Sequence, residues 1–129
     1  MCNVKTVVYV DDQSEMIDLV RLILRRRGIH VIGACDGYKG LDTIRQVRPD
    51  LVLLDLMMPG MRGQQVCRQM RNDNDLKGIP VVVVTAHGES HVRDECESLA
   101  VNGFLIKPFN TQELGDVIEC VLRAEPANA

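Results

Sequence analysis

The chain reads as an α/β domain built on an open parallel sheet with helices on both faces. Three observations predict this. Short β-branched runs alternate with helix-length amphipathic stretches, five of each, along 129 residues. The central runs, Leu51–Asp55 and Val81–Thr85, are apolar almost throughout, as strands covered on both sides must be. A helical stretch also separates each strand from the next, which parallel neighbours require.

The strands are expected at residues 6–10, 30–34, 51–55, 81–85 and 103–106. The first helix places Met16, Val20, Ile23, Leu24 and Arg27 on one face, and Gly28 supplies its C-terminal stop. The second carries Tyr38, Leu41, Ile44 and Val47 inward and ends before Pro49. A third covers 64–71 until the run Asn72-Asp-Asn-Asp75 breaks it, and a fourth holds Val92, Cys96 and Leu99. The last starts at Asn110, an N-cap with Glu113 completing a capping box, and runs to about Ala124.

Hydrophobic residues make up 46% and charged residues 26%, a balance typical of globular domains large enough to bury a core without staples. No apolar run reaches the roughly 18 residues of a membrane span. Neither signal peptide nor anchor is expected, and the cytoplasm is the expected compartment. With 15 basic against 18 acidic residues, net charge −3 and no basic stripe, direct nucleic-acid binding is not expected. Five cysteines (Cys2, Cys35, Cys67, Cys96, Cys120) are scattered without a C-x-x-C pair. That spacing fits neither zinc nor a disulfide framework, and most are expected as small core hydrophobes.

Sites of open parallel sheets lie at the carboxyl ends of the strands. The first strand ends in Asp11-Asp12, the third in Asp55, the fourth in Thr85 and the fifth in Lys107. Singly these are a turn-forming Asp, a sheet Thr and a solvated Lys. Chance does not assemble all of them on one rim. Clustered carboxylates repel, and their pKa values rise unless positive charge lies between them. An all-oxygen set suits a hard divalent cation, and Mg²⁺ takes few carboxylates together with water and phosphate oxygens. The ammonium and hydroxyl opposite can then hold the other oxygens of a phosphoryl group.

At this point residues 4–124 resemble the receiver domain of bacterial response regulators, of the chemotaxis type, in two-component signalling. The resemblance rests on Val8-Tyr-Val-Asp-Asp12, on Pro49-Asp-Leu-Val-Leu-Leu-Asp55-Leu-Met-Met-Pro59-Gly-Met-Arg-Gly63, on Val81-Val-Val-Val-Thr85-Ala86 and on Gly103-Phe-Leu-Ile-Lys107-Pro108-Phe109. It implies a flavodoxin-like, doubly wound five-stranded sheet of order 2-1-3-4-5. It implies Asp55 as the residue that becomes an aspartyl phosphate, taking its phosphoryl group from a sensor histidine kinase or histidine phosphotransfer protein. Asp12, Asp55 and the Met57 carbonyl would bind Mg²⁺ directly, with Asp11 acting largely through water. Lys107 and Thr85 would hold phosphoryl oxygens, and Phe104 would be the switch aromatic that follows Thr85. Such a chain modifies and dephosphorylates itself, and is not a turnover enzyme. Also implied are a cis Lys107-Pro108 bond and an output face of helix four, strand five and helix five. That face would meet a downstream protein or an attached output domain, in a monomer or a weak phosphorylation-dependent dimer.

Several positions depart from the family pattern. Arg62 stands where Asp is common. Ala100 replaces a Gly, so the fourth helix either ends differently or places Ala in the left-handed region at some cost. His87 sits where side chains influence phosphate loss, although an exposed loop histidine is the plainer reading, and His87 with His91 is a poor metal pair because Gly88 lies between them. Rival functions fit worse. A haloacid-dehalogenase-type phosphatase wants a second Asp where Met57 stands, a flavodoxin wants a Ser/Thr/Gly loop after the first strand, and a nucleotide binder wants GxxxxGK[ST]. Residues 1–129 are expected to form one receiver domain with a tail at 125–129, a stand-alone receiver being favoured over one excised from a longer regulator. On helix one, Leu19 and Leu22 fall away from the core stripe and form a candidate docking patch for the phosphodonor.

Overall fold

The computed structural model describes residues 4–86 and 90–124, with the side chains of Ser90 and His91 excluded. In chain order the elements are β1 Lys5–Val10, α1 Ser14–Arg25, β2 Ile29–Ala34, α2 Gly37–Val47, β3 Leu51–Asp55, α3 Gly63–Arg71, β4 Val81–Thr85, α4 Ser90–Ser98, β5 Gly103–Ile106 and α5 Thr111–Arg123. The strands form one sheet of order β2-β1-β3-β4-β5, every neighbouring pair parallel. This is the expected doubly wound architecture. His87, Gly88, Cys2 and the tail at 125–129 lie outside the described residues, as does the His91 side chain. Among the described residues no helix is long and apolar enough to cross a membrane.

Strand alternation divides the core into two layers. Val8, Val10, Val52, Leu54, Val81 and Val83 face α2, α3 and α4. Val7, Tyr9, Leu51, Leu53, Val82 and Val84 face α1 and α5. β3 and β4 are buried along their whole length, which is why their sequences lack alternation. The caps are local. Asn110 accepts from the Glu113 N–H at 2.8 Å and caps α5, as its sequence predicts. Arg48 ends α2 with φ +49°, donating its N–H to Ile44 O at 2.8 Å, so the helix stops before Pro49.

Two helices sit differently from their apolar pattern. In α2 the inward residues are Gly37, Gly40, Leu41 and Ile44, while Tyr38 is exposed and Val47 lies at the margin. The cause is close approach. A Cβ on Gly40 would lie 2.8 Å from Val10 Cγ1 and one on Gly37 2.7 Å from Met61 Cβ, so the helix turns its glycine face to the sheet. In α1 the buried residues are Ile17, Val20 and Leu24, flanked by half-buried Met16 and Ile23. Arg27 lies beyond the helix end, before Gly28 at φ +75°, and reaches across to α5. There its guanidinium lies against Gly115 and pairs with Glu119 at 2.8 Å. Of the described cysteines Cys67 and Cys96 are core residues, but Cys35 and Cys120 are exposed. Cys120 falls on the solvent side of α5, off the stripe set by Leu114 and Ile118, and Cys35 follows the edge strand β2.

Ala100 adopts φ +55°, the costlier of the two alternatives at this position. A left-handed alanine costs about 1–2 kcal/mol. Arg71 offsets it by donating to Leu99 O at 3.1 Å and Ala100 O at 2.9 Å. The same guanidinium also reaches Lys77 O and Ile79 O, each at 3.0 Å. One side chain thus ties the end of α3 to the α3–β4 and α4–β5 connections. Arg71→Ala strands four carbonyls and is expected to lower the unfolding free energy by about 2–4 kcal/mol, read from urea denaturation. A change below about 0.5 kcal/mol would contradict this reading.

Candidate functional site at the strand ends

The β1–β3–β4–β5 register brings the predicted residues to one rim. Val10 pairs with Leu54, Asp55 with Val84 and Thr85 with Ile106. The next residues, Asp11 and Lys107, therefore flank Asp55. Asp11, Asp55 and Thr85 are buried, whereas Asp12 is exposed. Carboxylate oxygens of Asp11, Asp12 and Asp55 all lie within 4.8 Å of one another. Lys107 Nζ stands 3.1 Å from Asp11 Oδ2 and 3.6 Å from Asp55 Oδ2, with its side chain only 17% exposed. The Lys107 backbone N–H donates to Thr85 O at 2.8 Å, which fixes the start of this turn to the end of β4. The Lys107-Pro108 bond is cis, as the resemblance implies.

Backbone amides complete the inner shell. Met57 N–H donates to Asp55 Oδ1 at 3.1 Å, while the Met57 side chain is exposed. Gln13 N–H donates to Asp11 Oδ1 at 2.9 Å. Gly63 closes the β3–α3 loop with its N–H on Leu56 O at 3.3 Å. A Cβ there would lie 2.8 Å from Leu56 Cα and collide with the Asp55 carbonyl, so this position holds a glycine for want of space. Phe104 is half-buried and packs in the α2–α4 layer. By alternation Thr85 shares that side of the sheet, because Val83 two residues before it lies in the same layer. The Arg93 guanidinium lies 4.9 Å from the Phe104 ring centroid.

One residue of the site escaped sequence reading. Tyr9, wholly buried, donates its hydroxyl to Asp11 Oδ2, the oxygen that also accepts from Lys107. A faint signal was there: a phenol among the valines of β1, two residues before Asp11 and hence on the same side. Burial first, then the bond to Asp11, keeps this phenol protonated far above its ordinary range.

Charge is unbalanced here. Burial pushes the Asp55 pKa from 3.8 to about 6; the Met57 N–H and Lys107 pull it down, and Asp11 and Asp12 push it up. Among the described residues, one ammonium against three carboxylates leaves a deficit that a hard divalent cation is suited to fill, and an all-carboxylate donor set with an exposed member fits Mg²⁺. In the metal-free protein the raised pKa is a stability penalty. The folded state holds the Asp55 proton more tightly than the unfolded state, so the penalty is absent below about pH 4 and complete above about pH 7. Asp55→Asn removes it. In EDTA the variant is expected to match wild type near pH 4 and to exceed it by about 2–3 kcal/mol near pH 7.5, measured by urea unfolding. A difference that did not grow with pH would contradict the assignment.

Comparison with known proteins agrees with this geometry. The family model described as response regulator receiver domain matches residues 7–119. The DNA-binding response regulator MtrA of Mycolicibacterium paratuberculosis is 38% identical over 125 residues, covering 94% of this chain and 54% of MtrA. The dual master transcriptional regulator RpaA of Synechocystis is 34% identical over 117 residues, covering 91% of this chain and 48% of its own length. The chain thus spans about half the length of these relatives. Among solved structures, chemotaxis protein CheY4 of Vibrio cholerae superposes with a TM-score of 0.87 at 27% identity, covering 92% of this chain and 99% of CheY4. A putative response regulator from Chloroflexus aurantiacus gives 0.89 at 29%, covering 95% and 100%. With its sheet order, its acidic rim and a family match over most of its length, this chain belongs to the response regulator receiver domains of two-component signalling.

Proposed function

We propose that this receiver is an Mg²⁺-dependent phosphoacceptor whose modified residue is Asp55. The observation that carries this is the Lys107 ammonium held between two buried carboxylates, beside a third that is exposed. Asp55 is the acceptor because it alone ends the central strand between the other groups, its Oδ1 fixed by Met57 N–H and its Oδ2 facing Lys107. An Asp55 oxygen attacks phosphorus in line, the P–N bond to a phosphohistidine breaks, and the imidazole leaves as phosphorus binds to Asp55. Asp12 and Asp55, with the Met57 carbonyl, would hold the cation directly, and Asp11 would act largely through water. When bound, Mg²⁺ neutralises charge on the transferring phosphoryl group. Lys107 balances the remaining charge, and positioning supplies most of the acceleration. Thr85 and Lys107 then hold phosphoryl oxygens.

The donor is a sensor histidine kinase or a histidine phosphotransfer protein. Engagement of Thr85 draws Phe104 inward and changes the face made by α4, β5 and α5, which meets the downstream protein or attached output domain. MtrA and RpaA are named as a DNA-binding regulator and a DNA-binding transcriptional regulator. Net charge is −3 and no basic stripe covers this domain, so the relay is placed in its protein contacts, in the cytoplasm.

Acetyl phosphate with Mg²⁺ is expected to label wild type near one phosphoryl group per chain, and Asp55→Asn or excess EDTA to reduce labelling at least about a hundredfold. Undiminished labelling of Asp55→Asn would refute the assignment. Exposed Leu19 and Leu22 line a 280 Å³ groove with Ile23, Arg26, Arg27 and Thr111, which supports helix α1 as the donor dock. In Leu19→Ala/Leu22→Ala, transfer from the cognate kinase should fall about tenfold or more with labelling by acetyl phosphate intact. Equal transfer from the kinase would remove α1 as the dock.

A further inference from the structure

The function proposed above places two demands on one ammonium. Lys107 donates to Asp11 Oδ2 at 3.1 Å and stands 3.6 Å from Asp55 Oδ2. Once Asp55 carries a phosphoryl group, the phosphoryl oxygens claim Lys107. Asp11, which has no exposure to water, then loses its ammonium donor at Oδ2. A buried carboxylate oxygen left without a donor is destabilising, and hydrogen bonds to charged groups are the costly ones to lose. Oδ1 is already used by the Gln13 N–H at 2.9 Å, which cannot serve both oxygens.

We propose that Tyr9 is a positioning residue that releases Lys107 to the phosphoryl group. Its hydroxyl donates to the same Asp11 oxygen that Lys107 holds. Tyr9 lies wholly buried in the layer beneath α1 and α5, packed among Val7, Ile17, Val20 and Leu53. It therefore keeps Asp11 Oδ2 satisfied in both states, so the lysine can move without stranding a buried charge. The phenol is a suitable donor because it is a neutral group that donates to Asp11, whereas a second ammonium there would compete with Lys107 for the carboxylates.

The inference rests on Asp55 and Lys107 having the roles proposed above, and it assigns Tyr9 an effect that depends on state. Without a phosphoryl group, Lys107 remains on Asp11 and the phenol is redundant. With one, the phenol is the remaining side-chain donor. Tyr9→Phe removes the hydroxyl and keeps the ring. Expected is a loss of about tenfold in beryllofluoride affinity at saturating Mg²⁺, with the Mg²⁺ affinity of the beryllofluoride-free protein within about twofold of wild type. Both are read by NMR titration, and a thermal melt reports packing. A purely structural role for Tyr9 predicts that both affinities fall together with the melting temperature, and that result would overturn the proposal. Unchanged beryllofluoride affinity in Tyr9→Phe would overturn it too. Failure of wild type itself to bind Mg²⁺ and beryllofluoride would instead refute the function on which the inference rests.

Discussion

Lys107 holds the rim together because the acidic residues around it cannot be buried without it. Asp11 and Asp55 are almost wholly removed from water, and two ionised carboxylates in such surroundings repel strongly and lose most of their hydration. A single ammonium within 3.1 Å of one and 3.6 Å of the other makes the arrangement tolerable, but does not neutralise it. Burial first, and then the neighbouring Asp11 and Asp12, keep the pKa of Asp55 raised in spite of that ammonium. A site built this way is poised to take up positive charge, and under the proposed function a phosphoryl group with its counter-cation would rearrange the contacts of the same lysine.

The sheet sets the acidic rim and the α4 face within reach of one another. Strand alternation places Tyr9 and the residues leading to Asp55 and Lys107 on the side covered by α1 and α5. Thr85 and Phe104 belong to the opposite side, under α4. Thr85 is the residue at which the two sides meet, since it ends β4 beside Asp55 while its own carbonyl accepts the Lys107 N–H. A change at the acidic centre therefore has a short route through packed groups to the α4 face. Arg93 over Phe104 and the Arg71 bonds to the end of α4 show how closely that helix is tied to its neighbours.

Glycines mark where backbone, not side chains, had to come close. Gly63 lets α3 begin against the end of β3, and Gly37 and Gly40 let α2 lie on β1 and the β3–α3 loop. These approaches set the depth of the rim, because α3 and its loop wall it on one side. They are also why Tyr38 is exposed although it falls in an apolar pattern. Its helix is oriented by what it lacks on one face, which a hydrophobic pattern does not reveal.

The sequence by itself determined the alternation of strands and helices, the buried character of β3 and β4, the Asn110 cap and the set of residues that close the strands. Each of these is local: a run of β-branched residues, a capping side chain, or a polar residue at a strand end, and in a parallel sheet strand ends share one edge by topology alone. Tertiary structure decided how those residues divide their contacts. That Asp12 is exposed while Asp11 is buried, that Lys107 bridges Asp11 and Asp55, and that Tyr9 reaches Asp11 all depend on how separate strands stand beside one another. The same holds for Arg71, whose partners lie in the adjoining α3–β4 connection and in the distant α4–β5 connection, and for Arg27, which leaves α1 to lie on Gly115. Long side chains choose among distant acceptors only after the layers have packed, and a linear pattern carries no record of that choice.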